Sequence, residues 1–166
     1  MTVSKQETAS KQRWVLQFCH SYDGPFLDCA RQYAALFVGT SYKVCTVYLT
    51  GTPSEHVVQG SASDEVIFLN YSSAQVGGLK LAAIRDIRRI AATRDFAFCI
   101  AHRFKPVYVA LLGTRLPVIG VHHAFGDYQR RSRRLFANFY RKRLKLLGVS
   151  NAVRDEIRAC LPSWPA

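Results

Sequence analysis

Residues 96–126, FAFCIAHRFKPVYVALLGTRLPVIGVHHAFG, decide the fold. Phe96 to Ala101 is a near-continuous apolar run of strand length, closed by the polar group His102-Arg-Phe-Lys105. Pro106 to Leu112 reads as a short helix, and Pro117 to Val121 as a second strand that ends in His122-His123. Two strands joined through a helix pair in parallel, and a strand that is apolar at nearly every position is covered on both faces.

The same alternation runs outward in both directions. Upstream, Trp14 to His20 is a buried strand that ends in Ser21-Tyr-Asp-Gly-Pro25, and Phe26 to Phe37 has helical spacing with Gly39 as its stop. Tyr42 to Leu49 is a Val/Thr/Tyr-rich strand, 51–64 a polar loop, and Val66 to Leu69 a short strand. Leu79 to Arg94 is an amphipathic helix with Ala83, Ile84, Ile87, Ile90 and Ala91 on one side and Lys80, Arg85, Arg88 and Arg89 on the other. Downstream come a basic helix from Tyr128 to Tyr140, a strand from Leu144 to Val149, and a helix to Cys160 with Ser150 as its N-cap. The pattern predicts an α/β domain: a doubly wound, Rossmann-like parallel sheet with helices on both faces, and ligands outside the carboxyl ends of its strands. Residues 1–12 read as a flexible lead-in and 13–166 as one domain.

Composition narrows the class. With 49% hydrophobic and 20% charged residues the chain is not disordered. Its 23 Lys+Arg against 11 Asp+Glu give a charge of +12, which calls for an anionic partner: nucleic acid, a membrane face or a phosphorylated substrate. Five widely spaced cysteines without a CxxC pair fit a reducing, cytoplasmic compartment. The polar N-terminus shows no signal peptide, and no apolar run reaches the length of a bilayer span, so any membrane contact is expected to be peripheral.

Polar residues gather at three strand ends. Gly24 could let backbone approach a phosphate at the head of the next helix, or simply serve a tight turn. His102, flanked by Arg103 and Lys105, could hold an anionic or hydroxyl-rich ligand, or bond a neighbouring loop. Of His122 and His123, alternation allows only one to face the crevice directly. Neither completes a metal site with its sequence neighbours, and no cysteine has an evident partner. From Arg130 to Lys145, eight of sixteen residues are basic, none is acidic, and Leu135, Phe136 and Phe139 lie among them. That is the pattern of an interfacial membrane helix, with Arg130, Arg131, Arg133 and Arg134 as membrane or phosphate contacts, unless the aromatics face the core and the arginines are merely solvated.

These strand-end segments carry a family resemblance. Ile100-Ala-His-Arg-Phe-Lys-Pro106, Val118-Ile-Gly-Val-His-His-Ala-Phe-Gly126 and Leu147-Gly-Val-Ser-Asn-Ala-Val-Arg-Asp-Glu156 resemble the N-terminal domain of retaining GT-B glycosyltransferases of the bacterial lipopolysaccharide-core type. The family's Gly-Gly pair after the first strand is here only Gly24-Pro25, and the chain stops near Pro165, about where the family enters its donor domain with its Glu-x7-Glu motif. The resemblance implies an acceptor-side half-enzyme, inactive alone, whose full form moves a sugar from a nucleotide-sugar donor to a lipopolysaccharide or other glycolipid acceptor. It implies no cofactor and no metal, with basic groups and a helix dipole stabilising the leaving diphosphate. His122 is placed beside the donor sugar as the catalytic histidine, with His123 the fallback, and His102 and the Gly24 turn on the acceptor side. The basic helix would hold the protein on the inner face of the cytoplasmic membrane, or meet phosphates on a lipopolysaccharide acceptor. The competing readings are a non-catalytic basic module that works with a separate donor domain, and a nucleic-acid-binding protein, for which no RNP, KH, zinc-finger or helix-turn-helix signature is present.

Overall fold

Strands and helices alternate without exception along residues 11–164, the part of the chain that the computed structural model describes. The order is β1 (Arg13–Cys19), α1 (Phe26–Ala35), β2 (Tyr42–Thr50), α2 (Glu55–Gly60), β3 (Glu65–Tyr71), α3 (Leu81–Ala91), β4 (Asp95–His102), α4 (Phe104–Gly113), β5 (Val118–His122), α5 (Arg131–Phe139), β6 (Leu144–Gly148) and α6 (Asn151–Cys160). The six strands form one sheet in the order β3-β2-β1-β4-β5-β6, and every neighbouring pair is parallel. The chain winds outward from β1 to β3, crosses back to β4 and winds outward again to β6. This is the doubly wound, Rossmann-like architecture, and the reversal between β1 and β4 opens a crevice at their carboxyl ends.

The helices divide between the faces. Leu16, Phe18, Val47, Cys99 and Ala101 turn toward α3, α4, α5 and α6, where Ile87, Val107, Ala137 and Ile157 close the larger core. Val15, Cys19, Tyr48, Ile100 and Val121 belong to the smaller clusters with residues of α1 and α2, such as Ala30, Tyr33 and Val57. α4 is apolar nearly all round, with Val107, Val109, Ala110 and Leu111 buried, as a helix wedged between sheet and neighbour must be. Its last residue, Gly113, permits that fit: a Cβ there would stand 2.8 Å from the carbonyl oxygen of Ile84 in α3. α3 buries Ala83, Ile84 and Ile87 and exposes Arg85, Arg88 and Arg89. At α6 the Ser150 hydroxyl accepts from the Val153 N–H at 3.3 Å, an N-cap worth about 1 kcal/mol.

Two expectations shift. The loop expected over 51–64 contains α2, whose six residues bury only Val57 and are too short to show helical periodicity. The basic helix begins at Arg131 rather than Tyr128, because Tyr128 is buried in the preceding turn. The lead-in expected over residues 1–12 falls, for residues 1–10, outside the described residues, as do residues 165 and 166. Among the described residues no helix is long and apolar enough to cross a membrane.

Candidate functional site

Strand parity assigns each histidine its side of the sheet. β4 and β5 pair with Ala101 opposite Gly120 and His102 opposite Val121. Ile100, His102, Val121 and His123 therefore turn toward α1, whereas Gly120 and His122 turn toward α4 and α5. His102 is buried against Tyr33 of α1, the ring centroids 4.8 Å apart and edge to face. His123 is half-buried, packs edge to face on Phe26 at 5.5 Å, and brings its Nε2 within 3.1 Å of His102 Nδ1. Cys29, one turn into α1, puts its Sγ 3.9 Å from the same Nε2.

His122 lies elsewhere, so the expectation that it faces the crevice is not met. It is 0% exposed; its Nδ1 meets Asp127 Oδ2 at 2.6 Å and its Nε2 meets the Tyr128 hydroxyl at 3.0 Å. A carboxylate only accepts, so Nδ1 carries the proton and Nε2 accepts from Tyr128. Both ring nitrogens are thus consumed inside the protein. Burial pushes the Tyr128 hydroxyl far above its ordinary pKa, with the Asp127 charge adding to it, so it remains a donor. Arg133 closes the network, donating to the Asp127 carbonyl at 3.1 Å and to its Oδ1 at 3.3 Å. Gly120, on the same face, serves helix packing: a Cβ there would meet Val107 of α4 at 2.9 Å.

Two recesses open at the carboxyl ends of the strands. One, of about 680 Å³, is lined by Asp28, Cys29 and Tyr33 of α1, by His123, and by Leu147 and Val149 at the end of β6. The other, of about 120 Å³, is lined by His20, Arg103, Phe104, Lys105, Asp127 and Arg133. Four of its six lining residues carry basic side chains, and Asp127 is already engaged by His122 and Arg133. The first turn of α4 supplies Phe104 and Lys105 to it, so a helix N-terminus adds its partial positive charge.

The local field is positive enough to register on its neighbours. Burial, and then the charges of Arg103 and Lys105, lower the pKa of His20 to about 4. Burial, and then Lys105 and Arg133, lower that of Lys80. Arg103 is held at φ 73° and ψ 165°, a region L-residues avoid at a cost of order 1–3 kcal/mol. Its N–H donates to the Val121 carbonyl at 2.8 Å, and its guanidinium lies 5.4 Å above the Phe26 ring. A further cavity of about 400 Å³ sits at the opposite, amino end of β2, where Asp64 is bound to the Val44 N–H and, among the described residues, no basic cluster forms.

The sequence-predicted residues therefore separate into groups. His102 and His123 come together, Arg103 and Lys105 join Arg133 around the small basic recess, and Gly24 stands apart. Gly24 has φ +56° and nothing within 4 Å of where a Cβ would stand, so its turn needs the left-handed conformation rather than close approach. Arg130 and Arg131 are exposed, and Arg134 is half-buried on α5. The aromatic stripe of that helix divides: Phe136 packs on the core, while Leu135 and Phe139 are 71% and 81% exposed. Sequence reading passed over Cys29, Asp127, Tyr128 and the role of His20. Parity signalled only that His122 and His123 part; the β4–β5 register, with His102 opposite Val121, puts His102 and His123 together on the face that α1 covers.

No protein-family model matches this chain, and no curated protein matches it significantly. Among solved structures, Phytolacca americana UGT2 complexed with UDP-2fluoro-glucose and pterostilbene superposes with a TM-score of 0.44 at 14% identity, over 66% of this chain and 30% of that one. The chain thus spans under a third of the length of that protein.

Proposed function

We propose that this chain is the acceptor-side half of a retaining, nucleotide-sugar-dependent GT-B glycosyltransferase. The observation that carries the reading is the basic recess at the carboxyl ends of β1 and β4, where His20, Arg103, Lys105 and Arg133 surround a space of about 120 Å³. A site of that size and sign accommodates a phosphate group, and fixed cations with a helix N-terminus stabilise charge on a departing diphosphate without a metal. The strand-end segments that resemble this family support the same reading.

In this reading His123, not His122, offers its imidazole to the sugar, because it lines the open recess beside Asp28 and Tyr33. Burial, and then the neighbouring His122 and Arg103, lower its pKa, so it is a neutral donor or acceptor at physiological pH. His122 orients Asp127 and Arg133 beneath the phosphate. The donor-side domain contributes the rest of the nucleotide site, and the acceptor is a lipopolysaccharide-type or other glycolipid. The exposed Leu135 and Phe139, flanked by Arg131 and Arg134, rest on the anionic cytoplasmic face of the membrane.

The test is a titration of this chain with inorganic pyrophosphate, followed by a panel of nucleoside diphosphates. Saturable binding that weakens at least tenfold in Arg103→Gln/Lys105→Gln is expected, together with no sugar transfer by this chain alone. Absence of pyrophosphate binding, or binding indifferent to both substitutions, overturns the phosphate assignment. Sugar transfer by this chain alone overturns the half-enzyme assignment.

A further inference from the structure

Three ligand-type atoms converge on the α1 side of the sheet: Cys29 Sγ, His102 Nδ1 and His123 Nε2 all lie within 4.8 Å of one another. Residues 29, 102 and 123 come from α1, the end of β4 and the end of β5, so only the fold brings them together. A tetrahedral zinc ion, with bonds of about 2.0–2.1 Å to nitrogen and about 2.3 Å to sulfur, requires a nitrogen–nitrogen edge of about 3.3 Å and a sulfur–nitrogen edge of about 3.6 Å. The two histidine nitrogens stand 3.1 Å apart, and the sulfur lies 3.9 Å from His123 Nε2. Shifts of a few tenths of an ångström bring these two edges to the ideal, and the third, from the Cys29 sulfur to the His102 ring, lies within 4.8 Å and closes by at most about 1.2 Å as the ion binds.

We propose that Cys29, His102 and His123 form a binding site for a zinc-class transition-metal ion, with a fourth coordination position open to the crevice. The donor set, one thiolate and two imidazoles, suits zinc and excludes the hard ions that seek oxygen. Cys29 and His123 both line the 680 Å³ recess, so a water or a ligand atom reaches the fourth position from solvent. Tyr33 and Phe26, packed edge to face on the two imidazoles, hold their planes in place.

The protonation states agree with this use. Burial, and then His123, lower the pKa of His102 to about 3, and that of His123 is lowered as well, so both rings are neutral near pH 7. Burial raises the pKa of the Cys29 thiol, which argues against a free nucleophile activated by His123. A metal ion displaces that proton when it binds, so uptake releases one proton and weakens as pH falls. A bound ion takes the His123 imidazole that the proposed transfer uses, which makes the ion a competitor for that site.

The experiment needs no nucleotide sugar, so its outcome is independent of the proposed function. The chelator-stripped chain is titrated with zinc alone by calorimetry and with cobalt(II) by absorption, with circular dichroism checking the fold. One equivalent of zinc at micromolar Kd or tighter is expected, with a thiolate-to-cobalt charge-transfer band. Cys29→Ser, a near-isosteric change at a half-buried position, should remove that band and raise Kd at least tenfold, and His123→Ala should raise it comparably. Cys160→Ser and His56→Ala, which alter a cysteine and a histidine outside the cluster, should leave Kd unchanged. The site is refuted if the folded chain takes up no stoichiometric zinc, if Cys29→Ser binds like the parent, or if Cys160→Ser or His56→Ala abolishes binding.

Discussion

His122 and His123 are adjacent in sequence and belong to different regions of the molecule. On the α4/α5 side, His122 is locked by Asp127 and Tyr128 with no nitrogen to spare. On the α1 side, His123 faces an open recess and shares its Nε2 environment with His102 and Cys29. The difference comes from one step of strand alternation, and it separates a group that holds the fold from a group that can meet a ligand.

The largest effect that can break this contrast is on stability. His122→Ala should destabilise the chain by about 3 kcal/mol, since it opens a cavity and strands the Tyr128 hydroxyl and the Asp127 carboxylate. His123→Ala should cost under about 1 kcal/mol. Thermal melting of both variants checks this, and equal losses would erase the distinction between the two sides.

Next comes a pH effect on the α1 side. His102 has a folded pKa of about 3, depressed first by burial, against about 6.5 for an unfolded histidine. Between those values the unfolded chain binds a proton that the folded chain does not, so stability is full above pH 6.5 and declines as pH falls. Between pH 7 and pH 5 this histidine alone should account for about 2 kcal/mol. Denaturant unfolding with chelator present, comparing the parent with His102→Gln, reads it as a flatter pH slope in the variant. Parallel slopes would show that His102 is not held neutral.

A smaller effect sharpens the boundary between the regions, where Arg103 sits. Arg103→Gly should relieve the positive-φ strain and gain about 1 kcal/mol, while pyrophosphate binding weakens. A variant that is both less stable and unaltered in binding would remove Arg103 from the recess. The smallest effect on stability is expected on α5. Leu135→Ser/Phe139→Ser should change stability by under about 0.5 kcal/mol, yet sharply reduce co-sedimentation with anionic vesicles. Undiminished co-sedimentation would exclude this face as the membrane contact.

The doubly wound fold was legible because the inner strands β1, β2, β4 and β5 are largely buried on both sides and read as near-continuous apolar runs. The cap at Ser150 was legible because its hydroxyl acts on a residue three positions away. α2 was not, since six residues hold too little periodicity to stand out. The site was legible in part: alternation required that the two neighbouring histidines part company, but which one turned toward α1 depended on the register of β5 against β4. Cys29 could not be read at all as a partner of residues 102 and 123, because that contact is made only when α1 folds over the sheet.

Gly148 ends β6, one of the two outer strands of the sheet, and a Cβ there would stand 2.6 Å from the Arg154 backbone nitrogen in α6. A single methyl group at this position would lever α6 away from the strand it covers. Val153, Ile157 and Leu161 would then come away from Leu144 and Leu146, and the apolar surface bared in the larger core would favour self-association over folding. The absence of a side chain at residue 148 thus guards solubility, a property of the population of molecules rather than of any site within one.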